Sequence, residues 1–259
     1  MGNSFSLQGK TVFTTGANGG IGKAIARGMA EAGADLVITD LDERILQETA
    51  EEIQKAGTNV FPVVFNINDM EAMKSAVDKA ISHYGRIDIL INSAGINIRK
   101  HFLEVPEEDY DKIMNVNVKG LFFLSQEVGK HMAKCKKGKI INIASLNTFI
   151  SLSTVSVYAT SKGAVGQLTK AMAVDMARYG IQVNAVAPGF IKTPFNKLLW
   201  GNEEKHKWVA DRTLLKRFGV PEDLIGTMLY LSSEASDFVT GQIIVVDGGY
   251  LTGSDTLFG

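Results

Sequence analysis

The sequence predicts a single α/β domain over residues 1–259, a doubly wound parallel sheet with helices on both faces. Three observations predict this fold class. Short apolar runs rich in Val and Ile alternate with longer amphipathic stretches along the whole chain. No internal repeat, low-complexity tract or Pro/Gly/Ser-rich linker divides the sequence. The first apolar run leads into a glycine-rich turn, and an amphipathic helix follows it.

Seven apolar runs are predicted to be strands. Because they are nearly continuous in apolar residues, we expect helices to cover both faces of the sheet. Stretches of roughly 12 or more residues with helical character fill most of the gaps, and right-handed crossovers then give the doubly wound order. The predicted strands are 11–15, 36–39, 60–65, 87–91, 139–143, 182–187 and 243–246.

The composition argues against several classes of function. Hydrophobic residues make up 45% of the 259 residues, charged residues make up 21%, and the net charge is −1. This balance gives no reason to expect a nucleic acid or a membrane surface as a partner. A single cysteine, Cys135, and four scattered histidines form neither a disulfide framework nor the spacing of a metal site. We therefore expect a cytoplasmic protein with no metal, no secretory signal and no membrane span.

Two predicted helices are apolar around most of their circumference. They cover residues 118–133, which include Leu121-Phe122-Phe123-Leu124, and residues 157–177. A helix on the surface of a monomer needs only one apolar stripe, so a second apolar side must be buried elsewhere. We expect a homo-oligomer, either a tetramer or a dimer. The alternative is that later segments of the same chain cover both helices.

The glycine-rich turn reads Thr15-Gly16-Ala17-Asn18-Gly19-Gly20-Ile21-Gly22. A strand, a glycine turn and a helix N-terminus together form a cradle for the diphosphate of a dinucleotide. The missing side chains let the backbone approach the phosphates, and the free N–H groups favour negative charge. A glycine cluster alone is also compatible with a plain tight turn. Its place between the first strand and the first helix favours dinucleotide binding, and with it a Rossmann fold.

The second predicted strand ends at Asp40, and Leu41 follows. An acidic side chain at this strand end accepts hydrogen bonds from ribose hydroxyls and repels a 2′-phosphate. Because neither Gly19 nor Leu41 supplies a positive charge, we expect NAD as the cofactor in preference to NADP. Arg44, one turn further along, softens that preference. The alternative for Asp40 is a helix cap or a solvated acid in a loop.

A candidate reacting centre lies at Tyr158-Ala159-Thr160-Ser161-Lys162. On a helix Tyr158 and Lys162 share one face, and an ammonium near a phenol lowers the pKa of that phenol. The phenol of Tyr158 is then expected to act as a general base near neutral pH. Ser145 follows a predicted strand at its carboxyl end, and Asn117 is placed to link the lysine to water. Taken singly, each residue has an ordinary structural alternative: packing for Tyr158, a solvated charge for Lys162, a helix cap for Ser145 and a helix start for Asn117.

Taken together in this order, the motifs resemble those of the classical short-chain dehydrogenase/reductase family over essentially the whole chain. The matching pieces are Thr15-Gly16 with Gly20-Ile21-Gly22, Asn92-Ser93-Ala94-Gly95, Asn117, Ser145, Tyr158 with Lys162, and Pro188-Gly189-Phe190-Ile191-Lys192-Thr193. The resemblance implies a nicotinamide-dependent oxidoreductase that moves hydride between a secondary alcohol and a ketone. It also implies that Asn117, Ser145, Tyr158 and Lys162 form a catalytic tetrad, with Tyr158 exchanging the hydroxyl proton.

The resemblance further implies a set of cofactor contacts. Lys162 would hold the nicotinamide ribose, and Ile191 and Thr193 would contact the carboxamide. Ser93 departs from the asparagine usual in the family, and Asn66-Ile67 departs from an aspartate followed by an apolar residue. The expected cofactor residues are Gly16, Asn18, Gly19, Gly20, Ile21, Gly22, Asp40, Leu41, Asn66, Ile67, Asn92, Ala94, Gly95, Tyr158, Lys162, Pro188, Gly189, Ile191 and Thr193.

The segment Gly95-Ile96-Asn97-Ile98-Arg99-Lys100 and the segments 211–226 and 235–249 resemble the gluconate 5-dehydrogenase branch and relatives acting on keto-deoxy-gluconates. A sugar acid carries a carboxylate, and arginine suits a carboxylate through paired hydrogen bonds. We expect substrate contacts at Arg99, Ser145, Asn147 and Tyr158. A solvated surface pair is the alternative for Arg99 and Lys100.

Residues 194–212 contain two tryptophans among many charges and precede the last long predicted helix. The resemblance implies a lid over the substrate, which would exclude water during hydride transfer; a surface excursion at a subunit contact is the alternative. For the whole chain, two other functions stay open. One is a reductase of β-ketoacyl carrier-protein thioesters or of other carbonyls, and the other is a non-catalytic dinucleotide-binding protein.

Overall fold

The structure is a computed structural model and describes residues 5–253, apart from the side chain of Leu198. Within these residues seven parallel strands form one sheet in the order β3-β2-β1-β4-β5-β6-β7. The strands are β1 (Thr11–Thr15), β2 (Asp35–Asp40), β3 (Val60–Val64), β4 (Ile89–Asn92), β5 (Gly138–Ile143), β6 (Ile181–Pro188) and β7 (Ile243–Val246). The predicted single α/β domain with a doubly wound sheet is confirmed.

Helices lie on both faces of this sheet. They are α1 (Gly20–Glu31), α2 (Glu43–Gln54), α3 (Met70–Tyr84), α4 (Glu107–Met114), α5 (Leu121–Cys135), α6 (Ser156–Met176), α7 (Lys197–Trp200), α8 (Glu203–Arg212) and α9 (Ile225–Ser232). Helices α1, α2 and α9 cover one face, and α3, α5 and α6 cover the other. None of the helices in the described part of the chain has the length and apolar character that a membrane crossing requires.

Successive residues of each strand pack into the two hydrophobic cores on opposite faces of the sheet. In β1 the side chain of Val12 packs with the α1 layer and that of Phe13 with the α3 layer, and both are fully buried. This alternation follows from the pleat of a strand, whose side chains point in opposite directions. Since both directions are covered, both positions are apolar, which explains the continuous apolar runs in the sequence.

Most predicted strands and helices begin within one residue of their place in the structure, and two begin two or more residues away. The fourth strand begins at Ile89 rather than at position 87, and just before it the carboxylate of Asp88 accepts the N–H of Thr11 at 2.9 Å. The helix predicted over 118–133 begins with a wider π turn over Asn115–Gly120, and α5 follows it. A Cβ on Gly120 would lie 2.7 Å from Ile67, so the close packing of this turn needs a glycine.

Candidate active site

A cavity of about 780 Å³ lies at the carboxyl ends of the strands, where the strand order reverses between β1 and β4. Open α/β sheets bind their ligands in this crevice. Of the predicted cofactor residues, the cavity wall contains Gly16, Asn18, Gly19, Gly20, Ile21, Gly22, Asp40, Leu41, Asn66, Ile67, Ala94, Gly95, Tyr158, Lys162, Pro188, Gly189, Ile191 and Thr193. Arg99, Ser145 and Asn147 share the same wall. Apart from Asn92, the predicted cofactor and substrate residues therefore line the same cavity.

The glycine turn is shaped by close backbone contacts. Gly16 and Gly20 have φ angles of +71° and +56°, in the left-handed region that favours glycine. A Cβ on Gly22 would lie 2.0 Å from the carbonyl oxygen of Gly16, so α1 packs directly against the turn. The first N–H groups of a helix lack helical partners, and those of α1 begin at this wall. The turn thus fits a diphosphate group.

Thr15, a residue that the sequence motif included without a role, holds this region together. Its Oγ1 accepts the N–H of Ser93 at 3.1 Å and that of Ala94 at 3.0 Å. The loop after β4 is thereby fixed beside the end of β1. In the sequence, the feature that indicates this role is a hydroxyl residue at the last position of the strand before the glycines.

Asp40 lies on the cavity wall at the end of β2. Its Oδ2 accepts the N–H of Asn18 at 2.9 Å, and its Oδ1 accepts the N–H of Leu41 at 2.8 Å. These bonds orient the carboxylate, and each oxygen keeps a lone pair for a ligand. The Oδ1 of Asn18 is buried and accepts no hydrogen bond from any described residue. Asp42, not Asp40, caps helix α2. The wall at this end therefore suits a ribose that donates hydroxyl protons.

Asn92 is an exception, and the expectation that it lines the cofactor is corrected. It is 2% exposed and lies beneath the cavity wall. Its Nδ2 donates to Ser125 Oγ at 2.9 Å and to Asn142 Oδ1 at 2.8 Å. The Nδ2 of Asn142 donates in turn to Thr169 Oγ1 at 2.9 Å. These four polar residues join β4, β5, α5 and α6 inside the apolar core, so Asn92 positions elements rather than touching a ligand.

Ser145 begins a short 3₁₀ turn, Leu146–Thr148, directly after β5. Its Oγ accepts the N–H of Asn147 at 3.1 Å, so the residue is a cap as well as a candidate catalytic group. Because the oxygen accepts from the turn, its own proton is free to point toward the cavity. Thr148 Oγ1 donates to the carbonyl of Lys162 at 3.1 Å and ties the turn to α6.

Tyr158 and Lys162 share one face of α6, as predicted from their spacing. Lys162 is 5% exposed, and its Nζ lies 5.6 Å from the centre of the Tyr158 ring and donates to the carbonyl of Ile143 at 2.7 Å. Burial raises the pKa of Tyr158, while a hydrogen bond from Ser145 and the charge of Arg99 lower it. Burial also lowers the pKa of Lys162 to about 8.

These directions correct the sequence-based account of the phenol. The sequence predicted that the ammonium of Lys162 would lower the pKa of Tyr158, with an oxidised nicotinamide acting in the same direction. In the structure desolvation outweighs the groups that favour the phenolate, and those groups are Ser145 and Arg99. The ammonium of Lys162 is directed to a backbone carbonyl instead of the phenol oxygen.

Asn117 lies in the π turn and is 1% exposed. Its Oδ1 accepts the N–H of Ile96 at 2.8 Å, and its Nδ2 donates to the carbonyl of Ile96 at 2.9 Å and to Ser161 Oγ at 3.0 Å. The side chain is thus committed to the loop after β4 and to α6. Asn117 does not form part of the cavity wall, so the structure gives its side chain a positioning role. Its predicted catalytic role stays a prediction.

Arg99 and Lys100 have different surroundings, which the sequence did not separate. Arg99 lines the cavity, and its charge acts on Tyr158. Lys100 pairs with Asp109 at 2.6 Å. Its backbone N–H donates at 3.1 Å to the carbonyl of Thr154, a non-glycine residue with φ of +67°. Of the pair, Arg99 therefore lines the cavity and Lys100 does not.

Residues 194–212 begin at the cavity and form α7 and α8. Phe195 lies 6.1 Å from Tyr158, measured between ring centres, and Leu199 also lines the wall. The indole N–H of Trp200 donates to the carbonyl of Thr193 at 2.9 Å, which fixes the first turn of the segment. The guanidinium of Arg212 lies 4.1 Å from the centre of the Trp208 ring. The segment therefore adds apolar groups to the substrate end of the cavity.

Known proteins resemble the chain over nearly all its length. A family model described as enoyl-(acyl carrier protein) reductase matches residues 16–251. The 5-keto-D-gluconate 5-reductase of Escherichia coli K12 is 40% identical over 251 residues, 97% of this chain and 99% of that protein. The 3-oxoacyl-[acyl-carrier-protein] reductase of Thermotoga maritima is 39% identical over 243 residues, 94% of this chain and 98% of that protein.

Solved structures agree with the sequence comparisons. A gluconate 5-dehydrogenase from Burkholderia cenocepacia, solved in complex with NADP and tartrate, superposes with a TM-score of 0.94 at 39% identity. The match covers 97% of this chain and 98% of that chain. Matches of this identity and coverage, together with the motifs in the cavity, identify the family and confirm an oxidoreductase that uses a nicotinamide cofactor. This chain belongs to the short-chain dehydrogenase/reductase family.

Proposed function

We propose that this protein oxidises a secondary hydroxyl of a sugar acid such as gluconate or a keto-deoxy-gluconate, and reduces the corresponding ketone. One observation carries the proposal: Arg99 lies on the same cavity wall as Tyr158 and is close enough to act on its charge. A carboxylate paired with Arg99 would hold the rest of the substrate near the phenol. The similarity to the Escherichia coli 5-keto-D-gluconate 5-reductase supports the same substrate class.

Tyr158 exchanges the proton of the reacting hydroxyl. Ser145 donates a hydrogen bond to the oxygen that carries the changing charge, and its cap contact with Asn147 holds it in place. Lys162 is placed to hold the nicotinamide ribose, and its bond to Ile143 fixes its ammonium at the wall. The bound nicotinamide supplies the hydride acceptor or donor. Phe195 and Leu199 exclude water from the substrate end as part of the proposed lid.

The cofactor proposed is NAD in preference to NADP. Asp40 would repel a 2′-phosphate, and the cations on the described cavity wall, Arg99 and Lys162, both lie on its catalytic side. Arg44 pairs with Glu48 at 2.6 Å and is therefore engaged on the surface of α2. The Burkholderia cenocepacia relative was solved with NADP, so an NAD preference would distinguish this chain from that protein. Equal kcat/KM for the two cofactors would refute the preference.

A homo-oligomer is also proposed, with a second copy of the chain as the partner. Within the described part of the chain, the segments that follow α5 leave its apolar side uncovered, since Phe122 and Phe123 are 42% and 37% exposed. Val174 on α6 is 79% exposed. A sedimentation measurement at micromolar concentration tests the proposal, and a stable monomer would refute it. The cytoplasmic location stays a prediction.

A substrate panel tests the proposed activity. Absorbance at the reduced-nicotinamide band is followed with D-gluconate, 5-keto-D-gluconate, a keto-deoxy-gluconate, neutral D-glucitol and a β-ketoacyl thioester, each with NAD and NADP forms. Turnover of a sugar acid with the highest kcat/KM supports the proposal. Brisk reduction of the thioester without turnover of any sugar acid would instead favour the carrier-protein activity of the Thermotoga maritima relative.

A further inference from the structure

Asn97 is a polar residue of the cavity wall whose side chain is unused by the fold. It lies in the segment after β4 and is partly buried. Its Oδ1 is buried, and within residues 5–253 neither end of the amide has a hydrogen-bond partner. A buried amide oxygen without a partner is unfavourable, because it has lost its hydrogen bonds to water and gained none in the fold. Such a group in a ligand cavity therefore calls for an explanation.

Other asparagines near the cavity have structural duties. Asn117 makes hydrogen bonds with Ile96 and Ser161, Asn147 donates to the carbonyl of Ile150 at 3.2 Å, and Asn196 donates to that of Ile191 at 2.7 Å. Asn97 has no comparable contact. The Nδ2 of Asn97 also lacks a partner among the described residues but is not fully buried, so the nitrogen is the end of the amide that can meet a ligand in the cavity.

The segment that carries Asn97 is fixed at both ends. Asn117 holds both backbone groups of Ile96, and the Lys100 N–H donates to Thr154 at 3.1 Å. Asn97 and Arg99 both line the cavity, whereas Ile98 between them does not. The two polar side chains thus stand two positions apart on the same side of a fixed segment, which is the arrangement of a preorganised binding group.

The charge at this end of the cavity favours an anion. Asp40 is the acidic residue of the described wall, and it lies at the adenosine end. Arg99 and Lys162 supply positive charge beside Tyr158. A neutral amide nitrogen next to Arg99 adds a donor for the second oxygen of a carboxylate without adding charge.

We infer that Asn97 is a specificity-determining residue whose amide nitrogen binds the substrate carboxylate together with Arg99. The inference rests on the proposed function, since it needs an acidic substrate. It goes beyond that function in naming a second donor and the group that it contacts. The side chain acts on substrate binding and leaves the proton exchange at Tyr158 unchanged.

The test compares Asn97→Ala, Asn97→Asp and a control, Ile98→Ala, in the full-length enzyme. With the best sugar acid of the panel we expect KM to rise about 10-fold in Asn97→Ala and about 100-fold in Asn97→Asp, because a carboxylate there repels the substrate. We expect kcat, the cofactor Kd and the competitive Ki of neutral D-glucitol to stay near wild type in both variants. Ile98→Ala is expected to leave all four values unchanged.

Each other outcome has a distinct meaning. A wild-type enzyme without activity on any sugar acid removes the proposed function before a variant is made. Activity on a sugar acid with Asn97→Asp no worse than Asn97→Ala would overturn only the inference. An equal loss for the acid and for D-glucitol, or a matching loss in Ile98→Ala, would also overturn it, since those results indicate a structural role.

Discussion

The two halves of the cavity are built in different ways. The adenosine half is formed by the backbone: glycines at Gly16, Gly20 and Gly22 set its shape, and Asp40 adds one oriented carboxylate. The catalytic half is formed by side chains from separate segments. Positive φ is placed on glycine in the first half, whereas Thr154, which holds the segment of Arg99 from outside the cavity wall, has it beside the second. A site formed by the backbone can be predicted from a sequence motif. The arrangement of a site formed by side chains depends on how distant segments pack together.

The largest expected effect is at the catalytic half. Tyr158→Phe removes the exchanging proton, and we expect kcat to fall about 1,000-fold or more with little change in cofactor Kd. Steady-state rates and a fluorescence titration with the reduced cofactor measure the two quantities. Tyr179→Phe is the control, because that hydroxyl accepts from Arg178 on the surface. Turnover near wild type in Tyr158→Phe would overturn the assignment of the base.

At the adenosine half the expected effect falls on binding. The methyl group of Gly22→Ala would lie 2.0 Å from the carbonyl oxygen of Gly16, so the turn must move. We expect this movement to cost about 1–3 kcal/mol. We expect the cofactor Kd to rise about 10- to 100-fold. Gly226→Ala, where a Cβ meets nothing within 4 Å, is the control. An unchanged Kd would show that this half tolerates side chains and would weaken the contrast.

The buried lysine predicts a dependence of stability on pH. Burial depresses the pKa of Lys162 to about 8, so its penalty is full below that pH and disappears as the pH rises toward the unfolded value of about 10.5. Between pH 7 and 9.5 the wild type should therefore gain about 2 kcal/mol in unfolding free energy relative to Lys162→Met. Urea unfolding at both pH values measures this difference. Parallel curves for the two proteins would contradict the assigned cause.

The smallest expected effect concerns backbone strain beside the catalytic half, at a residue outside the cavity wall. Thr154 holds φ at +67°, which is unfavourable for a β-branched residue. Thr154→Gly should raise the unfolding free energy by up to about 1 kcal/mol, while Thr154→Ala should not. Thermal unfolding of both variants decides. Equal melting temperatures for the two variants would indicate that the left-handed angle carries no cost.

How much the sequence predicted follows the same division. The doubly wound parallel sheet, the glycine turn and the place of Asp40 were predictable, because each is coded by local pattern and by backbone geometry. The separate surroundings of Arg99 and Lys100, the burial of Asn92 and the π turn at Asn117 were not. They depend on contacts between segments distant in the chain, such as the bond from Lys100 to Thr154, which no local pattern records.

The asparagine pair between two central strands has a consequence for how the site is aligned. Asn92 and Asn142 are direct partners in the parallel pairing of β4 with β5. If one of these strands slipped by one residue, its amide would move to the opposite face of the sheet, and the two amides would be buried among apolar groups without each other as partners. The pair therefore fixes the register of β4 against β5. This register keeps Ser145, three residues after Asn142, on the same cavity wall as the glycine turn. Apolar replacements of Asn92 and Asn142 would let the two strands pair in another register.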